Sequence, residues 1–215
     1  MRYSWMTIQI SCILLFLSAC NSKAPVEKQP ASITADTLPP ASDFGRRLSD
    51  ATLRLTHDPV TYDPGYFAIP YPNGDVPPGK GVCTDVVIRA LRKLGIDLQQ
   101  AVHEDMSRHF NAYPNIWGLK KTDTNIDHRR VPNLMTYFAR IGAQKPITLL
   151  PVDYLPGDIV CWKLAGGLTH IGLVVDKKSA DAARYLIVHN IGQGQVLADC
   201  LFSFEIIGHY RLEGR

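Results

Sequence analysis

The hydrophobic pattern of this chain changes period once, and that change constrains its fold class more than any other feature. Ahead of Leu155-Pro156-Gly157-Asp158, apolar residues recur at helical spacing. Val82, Val86, Val87, Ala90, Leu91 and Leu94 share one face, with Gly95 placed to end the helix; Val131, Leu134, Met135, Phe138 and Ile141 share another. Two more helices are expected, one over Arg46 to about His57 and one over Ile96 to Phe110. Beyond the Pro-Gly turn the pattern becomes β-rich: Ile159 to Leu164, Thr169 to Asp176 and Tyr185 to His189, with Gly166-Gly167 making the first reversal and Ile206 to Arg211 adding a last strand. Helices first and strands later predict an α+β domain, with helices packed on an antiparallel sheet. No internal repeat is visible.

Residues 1–20 read as a secretion signal rather than part of the fold. Arg2 supplies a positive charge, Ile8 to Leu17 is an apolar stretch too short to span a bilayer comfortably, and Leu17-Ser18-Ala19-Cys20 ends in small residues. Residues 21–42, rich in Pro, Ala, Ser, Thr and Lys without periodicity, are expected to form a flexible tether. Residues 43–215 are then a single domain, long enough to bury a core. The formal net charge of +3 is close to balanced and gives no footprint for nucleic acid.

Within that domain Cys83 is placed for chemistry. It lies in Lys80-Gly81-Val82-Cys83-Thr84-Asp85, where a Pro/Gly-rich approach gives way to the first turn of an amphipathic helix. The unpaired N–H groups and positive dipole end of such a turn favour a thiolate and can hold an oxyanion. Asp85 suits the first turn through the dipole. Cys12 leaves with the signal and Cys20 marks the cleavage point, so Cys83, Cys161 and Cys200 remain, and three thiols cannot all pair. Cys161 and Cys200 fall in apolar segments and are expected as buried thiols, with a bridge between them as the alternative.

Two histidines complete a candidate constellation. His170 begins a strand just after the glycine reversal, where it can project toward a helix N-terminus packed on the sheet. His189 ends the neighbouring strand. Because adjacent strand residues face opposite ways, His189 and Asn190 cannot both orient His170, and His189 is preferred for that role. A zinc site built from Cys83, His170 and His189 is a weaker alternative, since the spacing of the usual zinc motifs is missing. His57, His103, His109 and His209 have no partner visible in the sequence, and Trp117 and Trp162 read as core residues.

These residues carry a resemblance to known proteins. The order of Cys83 at a helix start, Gly157-Asp158-Ile159-Val160, His170-Ile171-Gly172-Leu173-Val174 and then His189 resembles the NlpC-type peptidases of the papain-like superfamily, which cleave peptidoglycan stem peptides. Gly81-Val82-Cys83-Thr84-Asp85, Asn125-Ile126-Asp127-His128-Arg129-Arg130-Val131-Pro132-Asn133, Pro156-Gly157-Asp158-Ile159-Val160 and His189-Asn190-Ile191-Gly192 are similar to the YijF-like bacterial family of unknown function, over about Thr56 to Arg211. One departure is that the superfamily's Asp-Cys-Ser-Gly is replaced by Val82-Cys83-Thr84-Asp85. The N-terminal pattern resembles bacterial lipoprotein signals. That resemblance implies lipid on Cys20, and with Asn21 following it, an outer-membrane anchor facing the periplasm.

The resemblance implies a papain-like (NlpC-type) α+β fold whose nucleophile helix packs on an antiparallel sheet. It implies a hydrolase, an amidase or cysteine peptidase with a Cys83-His170-His189 triad, no cofactor and no metal, acting on peptidoglycan peptides. The order cysteine before histidine disfavours the circularly permuted acyltransferase branch. Arg129 and Arg130, with His128, are candidates to clamp substrate carboxylates, the alternative being a salt-bridged loop that orders the next helix. Tyr66 and Tyr71 are candidates for a second oxyanion donor. The segment from Asn111 to Arg130 is long and weakly periodic, as a lid or specificity loop would be. A non-catalytic lipoprotein that binds wall peptides or positions another enzyme is the alternative function.

Overall fold

The computed structural model describes residues 38–214. The expected signal, the lipid-bearing Cys20 and most of the expected tether lie outside the described residues. Leu38 and Ala41 fall at the end of that tether, yet both are buried, so the folded unit begins a few residues earlier than its sequence pattern indicates. Among the described residues no helix is long and apolar enough to cross a membrane.

Among the described residues there are four α-helices and seven strands. Helix α1 (Asp43–Leu55) starts where Ser42 Oγ accepts the Gly45 N–H at 3.0 Å. Helix α2 (Cys83–Arg92) has every residue but Arg89 and Arg92 buried, so it is the central helix rather than a surface one. Helix α3 (Leu98–Arg108) is capped by Asp97, which accepts the Gln99 N–H at 2.9 Å, and α4 (Val131–Arg140) carries Pro132 in its first turn, where no partner for its nitrogen is needed. A two-stranded parallel ladder joins β1 (Thr61–Tyr62) to β2 (Lys80–Gly81).

The main sheet holds β3 (Ile159–Lys163), β4 (Thr169–Lys178), β5 (Tyr185–His189), β6 (Val196–Ala198) and β7 (Glu205–Tyr210), in the order β6-β5-β4-β3-β7, all pairs antiparallel. Alternation along β3 and β4 sends Ile159, Cys161, Ile171, Leu173 and Val175 to the face covered by the helices, where they meet Val86, Val87 and Leu91. Val160, Trp162, Val174 and Ile187 form a second core on the opposite face with Tyr154 and Leu201. Both faces being buried explains why Ile159-Val160-Cys161-Trp162 reads as a continuous apolar run.

Asp158, at the start of β3, ties the sheet to its edge. Its carboxylate is buried and accepts from Arg211 Nε (2.6 Å), Arg211 Nη2 (2.7 Å) and the Leu155 N–H (2.8 Å), and it pairs with His209 Nε2 at 2.8 Å. The His209 ring stacks on Tyr154 with centroids 4.3 Å apart. The Pro156-Gly157-Asp158 motif is thus a clamp on β7, and His209, without a partner in the sequence reading, is one of its jaws. Asp158→Asn is expected to lower stability by about 2 kcal/mol, because charge-assisted bonds are exchanged for weaker ones in a dry site; urea unfolding monitored by tryptophan fluorescence checks this.

Candidate functional site

Cys83 is the first residue of α2, and three contacts fix the chain that leads to it. Val82 has no side-chain oxygen to cap the helix, so Asp85 does so, its Oδ2 accepting the Val82 N–H at 2.7 Å. Arg129 grips the same carboxylate from outside the helix with a two-pronged pair, Nε to Oδ1 at 3.0 Å and Nη2 to Oδ2 at 3.1 Å, and donates Nη1 to the Gly65 carbonyl at 3.1 Å. Just past β5, Asn190 donates Nδ2 to the Gly81 carbonyl at 3.3 Å while its Oδ1 accepts the Gly192 N–H at 3.1 Å.

The thiol itself is buried, with the residue 7% exposed. Burial pushes its pKa up to about 11; the backbone N–H groups of Ile171, Thr84 and Cys83 pull the other way, and the Asp85 charge adds to the rise. The sulfur therefore lies against β4 at the residue that follows His170. Iodoacetamide is expected to label Cys83 slowly at pH 7 and faster as pH rises toward 11, since only the thiolate reacts; mass spectrometry of the labelled protein follows it.

His170 and His189 meet on the sheet. Gly172, two residues beyond His170, pairs with His189 across the β4–β5 ladder, and a Cβ at that position would stand 2.9 Å from Ile187 Cγ2 and 3.1 Å from His189 Cβ. The bare glycine leaves room for the two rings, which lie 5.0 Å apart with His170 Nε2 and His189 Nδ1 at 2.8 Å. Trp162 flanks His170 at 5.7 Å, and Cys200 Sγ stands 3.9 Å from His189 Nε2. Burial drives the His170 pKa down to about 4, the neighbouring His189 adding to the effect, and burial lowers that of His189 as well. Thiol and imidazoles are neutral in this arrangement, and among the described residues no hydrogen bond joins Cys83 to His170.

His128 behaves likewise: burial, reinforced by the Arg129 charge, lowers its pKa from 6.5 to about 4. Between those values the unfolded chain takes up protons that these folded histidines refuse, so stability is fully present above about pH 6.5 and falls as pH drops toward 4. Thermal melts are expected to show a lower midpoint at pH 4.5 than at pH 7.5, with His128→Gln reducing the difference.

Comparison with known proteins places the chain. The family described as "Domain of unknown function (DUF1287)" matches residues 49–212. This chain belongs to that family. A relative in it, the uncharacterized protein YijF of Escherichia coli K12, is 45% identical over 202 residues, spanning 94% of this chain and 95% of YijF. Among solved structures, an N-acetylmuramoyl-L-alanine amidase from Bacteroides uniformis shares the fold at 13% identity and a TM-score of 0.50, over 80% of this chain and 100% of that one.

The DUF1287 domain brings some expected site residues together and separates others. His170 and His189 are paired, and Cys83, at the start of α2, meets the backbone N–H of Ile171, the residue after His170, whereas Asn190 supports the segment leading to Cys83 and has no hydrogen bond to the His170 ring. Arg129 is not available as a substrate clamp: its side chain is 2% exposed and spent on Asp85. Arg130 lies 3.6 Å from Asp127 and its guanidinium stacks on Trp117 at 4.1 Å, so Trp117 is an exposed platform and not a core residue. Tyr71 sets its ring edge-on to His103 of α3. Tyr66 is occupied by Asp123 and Asn125. Tyr62 is the tyrosine that the sequence reading missed: β1 sets it opposite Gly81, and its pKa is raised by burial and then by the charges of Cys83 and Asp85. A two-residue parallel ladder leaves no periodicity from which to find it.

Cys161 is fully buried beneath Cys83, paired in register with Ile171, and Cys200 is half-buried; all three thiols are free, so the alternative of a Cys161–Cys200 bridge does not apply. The alternative of a zinc site finds no support in the geometry. Among the described residues no group of three His, Cys, Asp or Glu side chains is arranged to hold a metal ion, and the facing nitrogens of His170 and His189 are taken up by one another.

Proposed function

We propose that this protein is a cysteine hydrolase, of amidase or peptidase type, that cleaves peptidoglycan stem peptides through Cys83, His170 and His189. It works from a lipid anchor at Cys20 on the periplasmic side of the outer membrane, in an NlpC-type papain-like fold. The observation that carries the reading is the meeting at the start of β4. There a thiol at a helix N-terminus rests on the backbone N–H of Ile171, and the preceding residue presents an imidazole already oriented by a second one. The Bacteroides amidase, a cell-wall enzyme by name, supplies a shared fold in support.

The hydrogen bond between the rings supports a division of roles. With His170 Nε2–H donating to His189 Nδ1, the lone pair on His170 Nδ1 is free to take the Cys83 proton, and His189 stabilises the imidazolium that results. The thiolate attacks the amide carbonyl, the His170 proton passes to the leaving amine, and water activated by His170 releases the acid. Backbone N–H at the α2 start and the Tyr62 hydroxyl face the oxyanion. His189→Ala is expected to lower kcat about a hundredfold with KM little changed, and His189→Asn to recover part of the loss; steady-state kinetics on a stem peptide measures both.

A second reading, a non-catalytic binder of wall peptides, draws on the neutral buried thiol and its missing bond to His170. Incubation of the protein with purified muropeptides and intact sacculi, followed by mass spectrometry, separates the two. New fragments from a single amide cleavage support the hydrolase; unaltered but bound wall fragments favour the binder.

A further inference from the structure

The turn that follows β6 lies against the two imidazoles. His189 Nδ1 faces His170, and its other ring nitrogen, Nε2, has one hydrogen-bond partner among the described residues, Cys200 Sγ at 3.9 Å. That separation is too long for an oxygen acceptor but within reach of a large sulfur.

Both ends of the turn are held. Just before it, Arg184 grips the Asp199 carboxylate with two prongs, Nε at 2.7 Å and Nη2 at 2.6 Å, and the Ser203 N–H donates to the Cys200 carbonyl at 3.0 Å. The Leu201 carbonyl accepts the Trp162 Nε1–H at 2.9 Å, and Trp162 is the ring that flanks His170. One short segment thus touches His189 directly and His170 through Trp162.

Proton placement gives the sulfur contact its meaning. A neutral imidazole carries one N–H, so of the facing nitrogens, 2.8 Å apart, one donates and the other accepts. If His189 donated, His170 would keep its proton on Nδ1 and have no lone pair there. If His170 donates, its Nδ1 is bare and His189 carries its proton on Nε2, in a residue only 4% exposed. That buried N–H requires an acceptor, and Cys200 Sγ is the one in place. Once His170 is protonated on both nitrogens, only this second arrangement survives, because an Nε2–H cannot accept. Burial, and then the Asp199 charge, push the Cys200 pKa up to about 12, so the sulfur meets the N–H as a neutral thiol and takes no proton from it.

We propose that Cys200 is a positioning residue, whose sulfur accepts the His189 Nε2–H and so holds the tautomer in which His189 Nδ1 accepts from His170. The tautomer follows from the geometry of rings and sulfur; its consequence for rate rests on the hydrolase reading.

Long-range ¹H–¹⁵N correlation spectra of the ¹⁵N-histidine-labelled protein at neutral pH test this, with His189→Gln identifying the His189 signals. Wild type is expected to show a protonated Nε2 and an unprotonated Nδ1 on His189. Cys200→Ser keeps an acceptor and should preserve that pattern, whereas Cys200→Val keeps apolar bulk without one and should leave the proton shared between the two nitrogens. On a stem peptide, Cys200→Val is expected to lower kcat about tenfold, the scale of one hydrogen bond, with KM unchanged, and Cys200→Ser to restore most of the rate. A contact that served packing alone would give the reverse, with valine close to wild type and serine disturbed. A proton on Nδ1 in wild type, a wild-type pattern in Cys200→Val, or an unchanged kcat in that variant overturns the role. The ring signals need no substrate, so a protein that shows these patterns and cleaves nothing counts against the hydrolase alone, and cleavage with the other tautomer counts against Cys200 alone.

Discussion

Replacing Cys83 by alanine is expected to abolish cleavage of wall peptides, by at least about 10⁴-fold in kcat, while shifting the melting midpoint by only a few degrees. On the proposed mechanism the rate effect is large because removing the nucleophile of a covalent route leaves only binding, the oxyanion donors and the slower direct attack of water. The stability effect is small because alanine keeps the buried methylene and the helix start, losing one sulfur from a site that can partly close, a cost of about 1 kcal/mol or a few degrees in a chain of this size. Kinetics on a defined stem peptide, with differential scanning calorimetry of both proteins, reads the two numbers. Retained activity in the variant would move the chemistry to another residue.

The second large effect concerns stability. Arg129→Met is expected to destabilise the fold by about 3–5 kcal/mol, because it leaves the Asp85 carboxylate, 3% exposed, without its partner in a dry setting. Asp85→Ala strands the Arg129 guanidinium in the same way and also removes the cap on the Val82 N–H, worth about a further 1 kcal/mol. The double variant Asp85→Leu, Arg129→Met should recover much of the loss, since it buries no uncompensated charge. Urea titrations of the three variants give the coupling. If Arg129→Met were as stable as wild type and instead raised KM alone, the residue would be a substrate contact after all.

This pair shows where the sequence stopped being informative. Arg129 and Arg130 look alike in a string, and two arginines after a histidine invite the idea of a carboxylate clamp. Only the long-range contact to Asp85, 44 residues earlier, spends one of them internally. Helix α2 and strands β3 to β5 were legible because each keeps its period over a full element and both core faces follow from it. The sequence pattern also put Cys83 at a helix start and His170 and His189 on neighbouring strands, where the structure has them, since these are local features.

What escaped were features made by distant or very short segments. Strand β6 (Val196–Ala198) is three residues long with Leu197 exposed, and β1 is two residues, too short for a pattern to register, yet β1 brings Tyr62 to the thiol. The partnership of Asp158 with His209 spans 51 positions, so His209 had nothing near it in sequence to announce its role. Tyr66 and Tyr71 were reasonable candidates by their proximity to the Pro/Gly approach, but hydrogen bonds to Asp123 and Asn125 hold the first, and α3 takes the second. The burial of Cys83 was likewise invisible, because an amphipathic helix start looks the same whether or not other segments cover it.

The most direct test of the central claim is to trap the acyl-enzyme. The protein is mixed with a peptidoglycan stem peptide, quenched with acid within its first turnovers, digested and analysed by mass spectrometry. The account predicts an added mass equal to the acyl half of the substrate on the peptide that contains Cys83, absent from Cys83→Ala. Cleavage that proceeds with no adduct on Cys83 at any quench time, and equally in the alanine variant, would contradict it.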